Sequence, residues 1–271
     1  MKLAFSTLAC PRWSTEEIVE NAVRLGYDGI ELRLLDGEVI DPVKDAAKVK
    51  QAVTLSRARG IDVCTFDTSC SFNHSDAEER TIQVASLRNW ISLAQEEQVP
   101  LLRVFGGAGT PGAASLSIEN EWVAESLRQV AAEAEQAQVT VVLETHDGFA
   151  SAKRTAEVLQ AVSSAHIAAL WDSHHPYRVG ESVQEVISLL NGHIAHVHVK
   201  DARRVAPGSN DWQLVLLGEG EVPVHQQLQA LQQHGYAGYV SVEWEKKWHP
   251  EIPEPEVALP QHIALLKQWL G

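Results

Sequence analysis

Four ionisable residues stand where four successive apolar runs stop. Glu144 ends Thr140–Glu144, Asp172 ends Ala168–Asp172, His198 lies near the end of His193–Lys200, and Glu243 ends Tyr239–Glu243. If these runs are neighbouring strands, three carboxylates and one imidazole meet on one rim, where they would repel without a cation. Oxygen donors plus one nitrogen suit Mn²⁺, Mg²⁺ or Co²⁺, with positions left for substrate oxygens. Zn²⁺ accepts such a set too, although no cysteine lies near it. Each residue alone has a plainer reading. A strand-end carboxylate can cap the next helix, and a histidine in an apolar strand is commonly a hydrogen-bonded core residue. The joint occurrence on consecutive runs is what points to a metal.

The remaining histidines divide by context. His175 lies three residues beyond Asp172 and can reach a substrate, with His174 beside it on the rim. His146 follows Glu144 by two, on the same side of an extended chain. His196 and His198 share strand parity, so both can face inward. His166, His225, His234 and His262 fall on helices or turns and read as structural. Trp13, Trp171, Trp244 and Trp248 flank strand ends, where they wall a sugar's apolar face or pack the rim. There is no Gly-x-Ser-x-Gly elbow and no Gly-x-x-x-x-Gly-Lys phosphate loop.

Groups so far apart in sequence need a scaffold that gathers strand ends. Eight short apolar runs are present: Leu3–Ser6, Gly29–Arg33, Ile61–Phe66, Leu101–Phe105, and the four already described. Helical patterns alternate with them. Ser14-Thr15-Glu16-Glu17 is a capping box for a helix closed by Gly26. Asp41-Pro42 reads as the cap and first turn of a helix closed by Gly60. Asp76–Gln98, Ser117–Gln138, Ser151–Val162, Ser182–Leu190, Val224–His234 and Pro260–Leu270 complete the set, with the proline-rich Trp248–Pro260 expected as a non-helical cap. Eight β-then-α units predict an α/β fold with one (β/α)8 barrel over residues 1–271, and catalytic groups at the C-terminal strand ends. A doubly wound sheet would carry a glycine-rich turn after the first strand; Thr7-Leu8-Ala9-Cys10-Pro11 has none. The stretch Ala202–Leu217 reads as an elaborated loop over the barrel mouth.

Composition narrows the partners. The chain has 271 residues, 36 acidic against 22 basic, and a formal net charge of −14. No basic run exceeds two residues, which argues against nucleic acid, because phosphate contacts need clustered Lys and Arg. No apolar stretch is long enough to cross a membrane. The first residues read directly into a strand without a secretory leader. Cys10, Cys64 and Cys70 are an odd number without Cys-x-x-Cys spacing and fit reduced thiols in a cytoplasm. The tryptophan-rich loops could cap a neighbouring copy's barrel, in a homo-oligomer, as readily as their own.

Taken in order, Gly29-Ile30-Glu31-Leu32-Arg33, Leu143-Glu144-Thr145-His146, Asp172-Ser173-His174-His175, His198-Val199-Lys200-Asp201, Gly218-Glu219-Gly220 and Ser241-Val242-Glu243-Trp244 resemble the xylose isomerase-like barrel superfamily, often labelled sugar phosphate isomerase/epimerase. The resemblance covers nearly the whole chain. It implies one divalent cation held by Glu144, Asp172, His198 and Glu243, with Glu144 and Glu243 as an acid/base pair. It also implies substrate contacts from His175 and from an arginine after the seventh strand, Arg203 or Arg204; His146 and Lys200 are further candidate substrate contacts by position. The activity it implies is isomerisation or epimerisation of a sugar, keto-sugar or related polyol. A proton next to a carbonyl is too weakly acidic for a carboxylate alone, so the developing enediolate needs a metal on the carbonyl and neighbouring hydroxyl. Proton return on the other face epimerises, return at the adjacent carbon isomerises, and loss of a β-hydroxyl dehydrates. A dehydratase of the inosose or dehydroshikimate type is therefore the alternative. An endonuclease IV-like repair enzyme would need Asp-x-His where this chain has Asp211-Trp212-Gln213. The strand-eight loop Glu245–Pro250 has cations but ends on a proline and leads into a proline-rich stretch, so the "phosphate" of the family label is not expected of the substrate.

Overall fold

The computed structural model describes residues 1–108 and 115–271. Eight parallel strands close into a barrel: β1 (Lys2–Ser6), β2 (Gly29–Leu32), β3 (Asp62–Ser71), β4 (Leu101–Phe105), β5 (Thr140–Glu144), β6 (Ile167–Asp172), β7 (Ile194–Val199) and β8 (Tyr239–Val242), with β8 paired to β1. The outer ring comprises α1 (Thr15–Leu25), α2 (Ala46–Ala58), α3 (Ala77–Glu97), α4 (Leu116–Ala137), α5 (Ala152–Val162), α6 (Val183–Leu190), α7 (Val224–Gln233) and α8 (Pro255–Leu270). This is a (β/α)8 TIM barrel, as the alternating pattern predicts.

Local chemistry explains most boundaries. Ser14 and Glu17 form the expected capping box on α1, and Gly26 closes it in the left-handed region at φ 79°. Ser182 and Glu185 do the same for α6. Three expectations fail. Asp41 accepts from the Val43 and Lys44 amides in a separate turn, so α2 starts only at Ala46. β3 runs past Phe66 to Ser71, with a register shift against β4 after Asp67. The last helix starts at Pro255, where a missing N–H costs nothing, and runs through Pro260. Burial of Ala258, Leu259, Ile263 and Leu266 offsets the one lost hydrogen bond.

Among the described residues, two apolar clusters divide the interior. The large one fills the layer between strands and helices, with Phe5, Phe66, Trp90, Leu102 and Trp171 among its buried side chains. The small one is Val142, Ala168 and Leu170, with Leu101 and Ala195 against it. Val142 has the strand parity of Glu144, and Ala168 and Leu170 that of Asp172. This small cluster is the floor inside the barrel, and polar groups occupy the axis above it.

The Ala202–Leu217 loop is a hairpin, Asp201–Arg204 paired with Trp212–Val215. Asp201 anchors it by accepting from the amides of Ala202, Gly218, Gly220 and Val222. A Cβ on Gly220 would lie 2.1 Å from Asp201 Oδ1, which explains the Gly218-Glu219-Gly220 motif structurally.

His262 on α8 is fully buried, its ring edge against Trp244, and its Nδ1 donates to the Ala258 carbonyl. Burial pushes the imidazole down to about 4, only partly offset by that hydrogen bond. The folded state thus holds it neutral, and its stabilising contribution is present above about pH 6.5, the unfolded value, and is lost as pH falls from there towards 4. Urea unfolding at pH 7 and pH 4 should show wild type losing up to about 3 kcal/mol more than His262→Leu. Equal losses would remove His262 from the account.

Candidate metal centre

The strand ends deliver their side chains to one point. Asp172 sits opposite His198 in the β6–β7 register, and Ser241 faces His198 from β8, which places Glu243 just beyond. His198 Nδ1 stands 3.3 Å from Glu144 Oε1 and 3.4 Å from Glu243 Oε1. One donor atom each from Glu144, Asp172, His198 and Glu243 lies within 4.8 Å of all the others. Donors on opposite sides of an ion with bonds of roughly 2.0–2.2 Å stand about 4 Å apart, so the cluster needs little contraction to take one. Both Glu144 oxygens, Asp172 Oδ2 and His198 Nδ1 are buried without a hydrogen-bond partner among the described residues. Such atoms are costly unless something else satisfies them. The residues fit a divalent cation.

The charge balance points the same way. Glu31, Asp67, Glu144, Asp172 and Glu243 are buried carboxylates, against the buried cations Arg33, Arg103 and Lys200. Burial raises Asp67 to about 7, with Glu31 adding to the rise. Burial likewise raises Asp172 to about 6, opposed by Lys200. For Glu243 burial acts upward too, but Lys200 and His198 outweigh it and hold the carboxyl well below its usual range. Glu144 also lies below its ordinary value: burial and Glu243 push up, and His146, Arg103 and His198 prevail. Both are therefore ionised at neutral pH.

Of the residues expected to touch substrate, His175 and His146 reach the mouth. Their rings lie 4.2 Å apart, and His146 packs on Phe105 at 4.9 Å. His174 continues the wall to Trp212 of the hairpin, 5.0 Å away. Burial, with Lys200 next, lowers His175 well below its usual value and His174 to about 3. These imidazoles are neutral and suited to hydroxyl groups rather than anions. Both His175 nitrogens lack a partner among the described residues.

Lys200, expected as a substrate contact, is buried among carboxylates. Its Nζ donates to Glu243 Oε2 at 2.5 Å and Glu245 Oε1 at 2.6 Å, and lies 3.4 Å from Asp172 Oδ2. Its donors face protein carboxylates. Arg203, the other expected substrate contact, is exposed on the hairpin. Strand alternation gives its neighbour the inner position, and Arg204 lies over the Trp212 ring at 4.5 Å. Three residues not singled out for the site also enter it. Arg103 Nε is 3.4 Å from Glu144 Oε2 and 3.9 Å from Asp67 Oδ1. Glu31 touches both His196 and His198. Arg103 was detectable as the one charge within the apolar run Leu101–Phe105.

A family model described as xylose isomerase-like TIM barrel matches residues 19–269. The chain belongs to this family. One relative is the fructoselysine 3-epimerase of Escherichia coli O157:H7, 24% identical over 254 residues and covering 90% of each chain. Among solved structures of the fold, an L-ribulose 3-epimerase aligns at TM-score 0.81 and 19% identity, over 99% of this chain and 94% of that one. The IOLI protein, solved with a zinc atom, aligns at TM-score 0.80 and 18% identity, over 99% and 96%.

Proposed function

We propose that the protein is a divalent-metal-dependent epimerase of a sugar or keto-sugar, with Glu144 and Glu243 as its acid/base pair. The cluster of buried Glu144, Asp172 and His198 atoms that lack a hydrogen-bond partner among the described residues, beside Glu243, carries this reading. The fructoselysine 3-epimerase among the chain's relatives supports epimerisation. A divalent cation in the cluster would supply Lewis acidity to a substrate carbonyl and its neighbouring hydroxyl.

The chain's own residues perform the proton work. Glu144 comes from β5 and Glu243 from the end of β8, three places apart in the ring. Carboxylates entering from separate strands can serve the two faces of a planar enediolate. One removes the C–H proton and the other returns a proton to the opposite face, which inverts the carbon. Arg103 steadies Glu144 Oε2, and Lys200 steadies Glu243 Oε2. His146, His175 and His174 offer hydrogen bonds to hydroxyls along the mouth.

The test is exchange with solvent. The Mn²⁺-loaded protein, containing about one ion per chain, is incubated in D₂O with a panel of ketopentoses, ketohexoses and fructoselysine. Deuterium should enter at the carbon next to the carbonyl, with the epimer as product. Loss of water would favour the dehydratase, and a panel without exchange would sink the proposal.

A further inference from the structure

Beneath the four donors lies a second polar group that the acid/base reading leaves unused. Glu31 on β2 is fully buried on the barrel axis. His196 Nε2 and Glu31 Oε1 are in direct hydrogen-bond contact. Glu31 Oε2 stands 3.2 Å from His198 Nε2, an ion-pair distance, and neither of those two atoms has a hydrogen-bond partner among the described residues. No Lys or Arg nitrogen lies within ion-pair range of Glu31 among the described residues; only the two imidazoles do. The two nitrogens of His198 thus face opposite ways: Nδ1 towards Glu144 and Glu243, and Nε2 down towards Glu31.

An imidazole binds a cation through the nitrogen that carries no hydrogen, and its other nitrogen sets which one that is. A carboxylate beneath Nε2 demands a donor there. The hydrogen then sits on Nε2, and the Nδ1 lone pair points into the cluster. His196 holds Glu31 from the other side, with Thr65 Oγ1 3.4 Å from the same His196 nitrogen. Register places the set: Glu31 pairs with Thr65 across β2 and β3.

We propose that Glu31 is a positioning residue for the metal centre, accepting the His198 Nε2–H and so aiming Nδ1 at the ion. The inference rests on the metal reading above. The Gln side chain of Glu31→Gln has nearly the same shape but only one carbonyl oxygen for two N–H groups, whereas Glu31→Asp keeps a carboxylate on a shorter arm.

The experiment is calorimetric titration of the full chain with Mn²⁺, for wild type, Glu31→Gln, Glu31→Asp, His198→Ala and the double variant Glu31→Gln/His198→Ala. Circular dichroism in EDTA checks that each is folded. Wild type should bind about one ion. Glu31→Gln should bind it roughly 10–100-fold more weakly, and Glu31→Asp should recover part of the loss. In the His198→Ala background Glu31→Gln should cost nothing further, because the residue acts through that imidazole. Unchanged affinity in Glu31→Gln would overturn the inference. So would an undiminished loss in the His198→Ala background, which would show a simple charge effect. Two ions in wild type, one of them lost with Glu31, would make the group a second metal site instead. A wild-type chain that binds no divalent ion would overturn the metal reading itself, a result distinct from all of these.

Discussion

Glu243→Gln should keep the barrel and lose turnover by about 10²–10⁴-fold, because an amide neither takes nor returns a proton. The geometry makes the loss specific. Glu243 puts one oxygen beside His198 and the other on Lys200, so its Oε1 is the oxygen turned towards the other donors. The substitution also removes a charged donor from the cluster, so kcat must be measured at saturating Mn²⁺ to separate proton transfer from metal loss. A sharper consequence follows from two carboxylates on two faces. With Glu243→Gln, the epimer whose proton belongs to Glu144 should still exchange with D₂O, while its partner epimer does not. Glu144→Gln should show the opposite pattern. Loss of exchange from both epimers in each variant would indicate a single base. Near-normal turnover in Glu243→Gln would remove it from the acid/base role.

The parts of this site that were legible in the sequence are those at the ends of apolar runs. Glu144, Asp172 and Glu243 stand out because a buried parallel strand is apolar on both faces until it reaches the rim. Glu31, Asp67 and Arg103 lie within or beside such runs, and nothing local says which face of a doubly buried strand looks at the axis. That depends on strand tilt and on register with distant partners, such as Asp67 against Arg103. Arg203 and Arg204 failed to separate for the same reason, since hairpin pairing decides which one turns inward. Lys200 was visible as a charge after an apolar run, but its partners Glu243 and Glu245 arrive from another strand. The early start of α8 was hidden by Pro260, whose local penalty is overridden by tertiary burial.

Lys200→Met should destabilise the metal-free protein by about 3–5 kcal/mol, the cost of removing one partner from a buried ion pair. The ammonium is 1% exposed and faces Glu243, Glu245 and Asp172. Burial opposes its charge, but Asp172, Glu243 and Glu245 outweigh this and hold it protonated far above the working pH range. Without it, adjacent carboxylates are left buried and uncompensated. A divalent ion supplies the missing positive charge, so Mn²⁺ should raise the urea midpoint of Lys200→Met by more than it raises that of wild type. Turnover should fall as well, because Glu243 Oε2 loses its anchor. The sequence-based expectation of Lys200 as a substrate contact makes a different forecast: KM rises while the metal-free midpoint stays near wild type. Unfolding in EDTA followed by Mn²⁺ addition separates the two. An unchanged midpoint in EDTA would show that the three carboxylates do not need the lysine, and would return Lys200 to the substrate.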